Sequence, residues 1–399
     1  MKMSFKPLAI DGGTAVRSER LPLHKPWFDA REEHAILDVL ASTQVAGDGV
    51  KGRELEQLLR ESTGARGVLV LNSCTAALEI GVQIAGLGPG DEVILPSYTF
   101  VSTANAVIKA GARPVFADID PIGLGLDPKD VARRITPRTR AILPMHYAGM
   151  ACDMAAIMAL GAARGLIVIE DAAHGANATS GGRALGAVGT LGALSFHETK
   201  DLVCGEGGAL LIRDDPSYLR AAEILREKGT DRTAFLRGEL DKYTWVGVGS
   251  SYLLSELLAA VAVEQFRKLP EITRRKTAQA ERLLAGLAPY RSLVQLPAVP
   301  EGCRPNWHVF AVLVDPAKRD WVIRALKAEG VAAAFHYVPL HSAPYAKHAP
   351  DIAQVDLPVT DRVAASLVRL PISAAFTDAD CDDVVMACAR VFEHMSAHA

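Results

Sequence analysis

Cysteine is scarce in this 399-residue chain, and its six copies (Cys74, Cys152, Cys204, Cys303, Cys381 and Cys388) are scattered. No two stand in the C-x-x-C spacing of a zinc or redox site, and they are too few for a disulfide scaffold. Reduced thiols in a cytoplasmic protein are therefore expected. Long apolar runs are missing too. No uncharged apolar stretch reaches the roughly 20 residues that a membrane span requires, and the opening MKMSFKPLAIDGG lacks the apolar core of a secretory signal. Nor does one sign of charge prevail: the formal net charge is −3, which gives no whole-molecule attraction for nucleic acid. H-E-x-x-H and G-x-x-x-x-G-K-[ST] do not occur, which removes two common zinc and nucleotide motifs. His197-Glu198 has a lysine, Lys200, at the wrong spacing for a second zinc ligand, so no metal is expected. Gly86-Leu87-Gly88-Pro89-Gly90 precedes a strand instead of following one and reads as a turn, not a dinucleotide fingerprint.

Hydrophobic side chains make up 49% of the chain, enough for a large core. Short continuous apolar runs recur at Val68–Leu71, Glu92–Pro96, Pro114–Asp118, Arg140–Met145, Leu166–Asp171, Ala193–Phe196 and Gly208–Ile212. Continuous rather than alternating runs are how strands covered on both faces look. Helical patterns such as Thr75–Ala85 and Asp153–Arg164 lie between them. That alternation predicts an α/β domain of three layers around a mainly parallel sheet. Near Arg267–Pro270 the pattern changes, and a strand candidate at His308–Val314 and helices near Asp320–Glu329 and Asp378–His394 follow. The expected division is a large unit, 1–265, carrying the N-terminal segment, and a smaller α+β unit, 266–399.

In open α/β sheets ligands sit at the carboxyl ends of the strands, and three such ends carry chemistry. Ser73-Cys74-Thr75 stands at a strand-to-helix turn, where free amides can hold a phosphate or where the serine simply caps the helix. LIVIED ends in Asp171, a carboxylate that is costly to bury without a partner, whether a cationic ring or an ordinary salt bridge. Ser195-Phe196-His197-Glu198-Thr199-Lys200 leads through a lysine into glycines that turn the chain into the next strand. A lysine held among apolar strands can serve as an amine nucleophile, although a lone loop lysine is commonly just solvated. Together these are the parts that pyridoxal phosphate needs: phosphate donors, an acid for its ring nitrogen and an amine for its aldehyde.

NSCTAAL, PSYTFVSTANAV, GARPVFADID, ITPRTRAILPMHYAG, IEDAAH and SFHETKDLVCGEGGALL resemble the DegT/DnrJ/EryC1/StrS sugar aminotransferase family, which has the fold type I of aspartate aminotransferase. The matching segments span about residues 35 to 345. REKGTDRTAFLRGELDKYTWVGVGSSYLLSELLAA and FHYVPLH resemble the branch that makes dTDP-4-amino-4,6-dideoxygalactose for surface glycans. The resemblance implies a transaminase that uses pyridoxal 5′-phosphate, a nucleotide-linked keto sugar and the glutamate/2-oxoglutarate pair. By position, Lys200 would carry the cofactor as a Schiff base and Asp171 would pair with its ring nitrogen. Phe100 would stack on the ring, His174 would lie near its hydroxyl, and Ser73, Cys74, Thr75 and Ser195 would hold the phosphate. His336, Tyr337 and His341 would line the sugar entrance. Ser251 stands where many relatives have an asparagine that reaches the neighbouring subunit's phosphate, so the resemblance also implies a homodimer. A related dehydratase would carry histidine in place of Lys200, and a UDP- or GDP-linked sugar, an epimeric product or a non-catalytic regulatory protein are the remaining alternatives.

Overall fold

The computed structural model describes residues 7–349, 352 and 355–397. Seven short strands form the central sheet: Gly67–Leu71, Glu92–Pro96, Arg113–Ala117, Thr139–Ile142, Ile167–Asp171, Leu191–Ser195 and Gly208–Ile212. Each falls on an expected apolar run, shifted by up to three residues. The outermost pair is Arg113–Ala117 beside Glu92–Pro96, and the order continues through Thr139–Ile142, Ile167–Asp171, Leu191–Ser195 and Gly208–Ile212 to Gly67–Leu71 at the opposite edge. All the pairings are parallel except the two made by Gly208–Ile212, which runs against both neighbours. Every residue of Gly67–Leu71, Leu191–Ser195 and Gly208–Ile212 is buried, which explains why these strands lack polar alternation. Helices cover both faces. Ala76, Leu78, Ile80 and Val82 of the helix Cys74–Ile84 pack with Leu69, Leu71, Ile169 and Leu210 on one side. Leu55 and Leu59 pack with Val68, Val70, Leu194 and Leu211 on the other.

A smaller two-stranded antiparallel sheet pairs Phe310–Leu313 with Leu367–Leu370. It is backed by the helices Arg319–Ala328 and Asp378–Ala397, with Phe310, Val312, Leu326, Val368, Leu370 and Phe392 at the centre. Two features depart from the expected division. The 265/266 position lies inside one helix, Glu256–Leu287, which runs on through Pro270. A proline inside a helix removes one backbone bond and costs about 3 kcal/mol. Buried neighbours on both sides of it, Leu269 and Ile272, hold the helix together. The N-terminal segment also packs against the smaller sheet's core: Leu8 and Leu21 are buried with Val322, Leu326 and Val391. No helix among the described residues is long and apolar enough to cross a membrane.

Because six strands point the same way, their carboxyl ends share one edge, and the antiparallel strand begins there at Gly208. A Cβ at Gly208 would lie 2.4 Å from the Cys74 nitrogen and 2.6 Å from the Ser73 carbonyl carbon. Only glycine lets the Ser73–Cys74 turn sit this close to the strand. Gly208→Ala should therefore cost about 2–3 kcal/mol, read as a drop in melting temperature. An unchanged melt would show that the turn can move away freely.

Candidate active site

At this edge lies a cavity of about 660 Å³, a size ordinary for small-molecule sites. Ser73, Cys74, Thr75, Phe100, Asp171, His174, Ser195, Lys200, His336 and Tyr337 all line it, although they come from segments far apart in the chain. Ser73 caps the helix Cys74–Ile84, its Oγ accepting from the Ala76 amide at 3.0 Å. The hydroxyl hydrogen stays available to a ligand, and first-turn amides have no partner within the helix. Capping and anion binding are thus compatible at this turn. Thr75 Oγ1 lies 2.7 Å from Ser102 Oγ, which adds a hydroxyl to the same corner. Ser195 Oγ accepts from the His197 amide at 3.4 Å.

Asp171 ends the strand Ile167–Asp171 and is 3% exposed. Its Oδ2 accepts from Thr103 Oγ1 at 2.7 Å and its Oδ1 from the Ala173 amide at 3.1 Å. Burial raises its pKa above the ordinary carboxylate range, against the pull of those two bonds and of Lys200. Each carboxylate oxygen keeps a lone pair, so a cationic ring nitrogen in the cavity would return Asp171 to its charged form. Glu170, the preceding residue, points to the other face. It is fully buried, taking the amides of Gly186, Val188 and Gly189 and His146 Nε2 at 2.8 Å. The Cys152 amide donates to His146 Nδ1 at 3.2 Å, which places that ring's proton on Nε2.

Lys200 follows a turn closed by its own amide on the His197 carbonyl. Its ammonium has no hydrogen-bond or ion-pair partner among the described residues. Burial lowers its pKa, although Cys74, Asp171 and Asp201 pull the other way. A lowered pKa favours the free amine, the form that attacks a carbonyl. Behind it, Asp201 is paired with Lys276 in full burial.

The opposite wall is a stack of rings. The Ala148 amide donates to His174 Nδ1, so the His174 proton sits on Nε2, 3.4 Å from the Tyr337 hydroxyl. His308 packs on His174 with ring centres 4.2 Å apart. Tyr98 donates to the His336 carbonyl at 2.6 Å, and the Tyr147 hydroxyl meets His336 Nδ1 at 2.8 Å. These two tyrosines fix the loop so firmly that Tyr337 holds a left-handed backbone, φ 58°, a conformation that non-glycine residues rarely adopt.

Two expected residues lie elsewhere. His341 does not line the cavity. Its Nδ1 is 2.7 Å from Ser97 Oγ and its Nε2 is 3.3 Å from Asp361, so it secures the loop that carries His336 and Tyr337. Ser251 is exposed, beside Asn72, whose side-chain amide donates to its carbonyl at 3.3 Å. Conversely, Ser102, His308, Phe335 and Arg369 line the cavity without having been singled out in the sequence, and Thr103 supports Asp171. Thr103 lies within the matching segment PSYTFVSTANAV, where it could have been noticed; Arg369 comes from the smaller sheet and His308 from just before it, and neither carried a motif.

The donor set fits pyridoxal phosphate. An unpaired amine, a buried acid with spare lone pairs, a corner of amides and hydroxyls, and the exposed face of Phe100 surround one cavity. The family model for the DegT/DnrJ/EryC1/StrS aminotransferases matches residues 26–389, and the chain belongs to that family. It is thereby an enzyme of the transaminase class. It is 34% identical over 379 residues to the spore coat polysaccharide biosynthesis protein SpsC of Bacillus subtilis, covering 93% of this chain and 97% of SpsC. The aminotransferase TlmJ of Streptoalloteichus hindustanus is 32% identical, with a TM-score of 0.87 over 94% of this chain and 100% of that one. A putative sugar aminotransferase of Streptococcus pneumoniae, Spr1654, in its PLP form shares the fold at a TM-score of 0.86. It is 24% identical, over 94% of this chain and 99% of that one.

The buried imidazoles make stability depend on pH. Burial pushes His24 down to about 4 and His336 to about 2, and holds His174 and His308 well below the usual range. The unfolded chain protonates all four near pH 6.5, so their contribution is complete above 6.5 and is lost as pH falls from 6.5 to each group's folded value, about 4 for His24 and about 2 for His336. For His24 this is on the order of 3 kcal/mol. Thermal melts between pH 4 and 8 should fall on the acid side, and His24→Gln should fall less steeply. Parallel curves would exclude His24 as a contributor.

Proposed function

We propose that this protein moves an amino group from glutamate to the C4 keto carbon of dTDP-4-keto-6-deoxyglucose, giving dTDP-4-amino-4,6-dideoxygalactose. The observation that carries the reading is the meeting of Lys200, Asp171 and the Ser73–Thr75 turn around one cavity. SpsC, whose name places it in polysaccharide biosynthesis, supports a sugar substrate. The segments FHYVPLH and GSSY support the dTDP-sugar branch.

The cofactor is pyridoxal 5′-phosphate, which when bound supplies an aldehyde to capture amines and a ring to accept the electron pair left by a departing proton. The amides of Cys74 and Thr75 and the hydroxyls of Ser73, Thr75 and Ser195 would hold its phosphate. Phe100 would stack on the ring, and His174 would lie near its hydroxyl. Asp171, in a site of low polarity, would hold the proton on the ring nitrogen; Thr103 and the Ala173 amide keep its carboxylate in place. Lys200 would hold the cofactor through its amine. Freed by the donor's amine, its Nζ would take the proton from the donor's α-carbon. With the keto sugar as substrate, Nζ would deliver a proton to C4. Holding that amine beside the carbon supplies both proximity and base catalysis. His336 and Tyr337 form the wall against the sugar, held by Tyr98 and Tyr147. The exposed side chains of Trp245 and Val248, close in sequence to Ser251, support a homodimer in which Ser251 serves the second copy's phosphate.

Visible absorbance of the PLP-loaded protein tests both half-reactions. The band should bleach with glutamate and return with dTDP-4-keto-6-deoxyglucose; bleaching without return would reject the sugar. Lys200→Ala should abolish both the band and turnover. Asp171→Asn should keep the fold and lower the rate by about 10³-fold or more. Normal turnover in that variant would mean that another group holds the ring proton.

A further inference from the structure

We propose that Arg369 is the anchor for the carboxylate of the amino donor. The inference rests on the transaminase reading above and adds a binding residue to it. The strand Leu367–Leu370 carries Arg369 to the cavity wall beside Phe335 and His308. Its backbone is tied down, the amide donating to the Ala334 carbonyl at 2.8 Å. Its side chain is not: Nε is buried and has no hydrogen-bond partner, and no carboxylate among the described residues forms an ion pair with the guanidinium.

Neighbouring carboxylates have other partners, although one Asp201 oxygen, 3.5 Å from His308 Nδ1, makes no hydrogen bond among the described residues. Asp171 takes Thr103 and the Ala173 amide, Asp201 takes Lys276, and Glu206 lies 3.7 Å from His197 at the exposed rim. A buried guanidinium N–H without an acceptor is costly. Its planar fork is shaped for a carboxylate, so an anion entering the cavity would complete it.

The chemistry of the two substrates selects which anion. The donor's α-carboxylate is attached to the same carbon as the amine that reacts at Lys200, so it must bind close to that lysine. Arg369 is close enough for its charge to act on Lys200, His174, His308 and Tyr337. The phosphates of a nucleotide-linked sugar hang from C1, across the ring from the reacting C4. The cofactor's own phosphate has donors at the Ser73–Thr75 turn.

The test measures binding, not turnover. 2-Methylglutamate lacks the α-proton and cannot be processed; its affinity for the PLP-loaded enzyme can be followed by the visible spectrum and by calorimetry, with dTDP as the second probe. Arg369→Met should weaken 2-methylglutamate by roughly 30-fold or more and leave dTDP within about twofold. Arg369→Lys, which keeps the charge and much of the volume, should weaken it by roughly 5- to 10-fold through loss of the paired contact, and it keeps the test open if the methionine variant does not fold. Unchanged affinity for 2-methylglutamate in either variant would overturn the proposal. So would a selective loss of dTDP, which would make Arg369 a phosphate contact. A wild-type enzyme that takes up PLP but binds neither probe would instead sink the transaminase reading itself.

Discussion

Parallel strands impose a constraint from which the rest of this structure follows. Six strands run the same way, so six chain reversals are brought to one edge, each followed by a loop or helix start that is free to carry polar groups. The interior of the sheet is closed to polar chemistry because helices bury both faces. The edge is where the amides of Cys74 and Thr75, the carboxylate of Asp171 and the amine of Lys200 can meet while their backbones stay rigid. The single antiparallel strand completes the arrangement by starting at the edge where the others stop.

Electrostatics then decides what the meeting can do. Desolvation weakens both charges, moving Asp171 up and Lys200 down. The imidazoles of His174, His308 and His336 on its wall stay neutral, so the cavity has few fixed charges of its own. In such a medium each remaining charge acts over a longer distance than it would in water. Arg369, whose guanidinium keeps its charge at any working pH, is therefore the strongest fixed positive charge that an entering substrate meets in the cavity.

The large sheet was legible because its strands are continuous apolar runs, and a strand buried on both faces has no other way to look. The chemistry at strand ends was legible for a related reason: Asp171 and Lys200 are conspicuous against apolar surroundings. The smaller sheet was less so. Leu367–Leu370 is four residues long with an arginine inside it, and its partner lies more than fifty residues away, so no local period marks it. The 265/266 division misjudged Pro270, whose local preference is outweighed by buried neighbours along one continuous helix. The docking of Leu8 and Leu21 on C-terminal elements is a contact across almost the whole chain, and periodicity has no access to such a contact. His341 sits in the motif FHYVPLH but turns toward Ser97, because a motif fixes backbone position without fixing which side chains face the ligand.

The closeness of Gly208 to Cys74 also orders events in time. Gly67–Leu71 is an edge strand whose sole pairing among the described residues is with Gly208–Ile212, a partner about 140 residues further along the chain. Loop closure over that distance is entropically slow. Until Gly208–Ile212 is inserted, the Ser73–Thr75 turn has no fixed position relative to Lys200. The phosphate corner and the amine therefore come into register only when the sheet is complete. Under the proposed roles, a cofactor that needs both would bind only once Gly208–Ile212 is in place, so it would report the paired sheet and not template it.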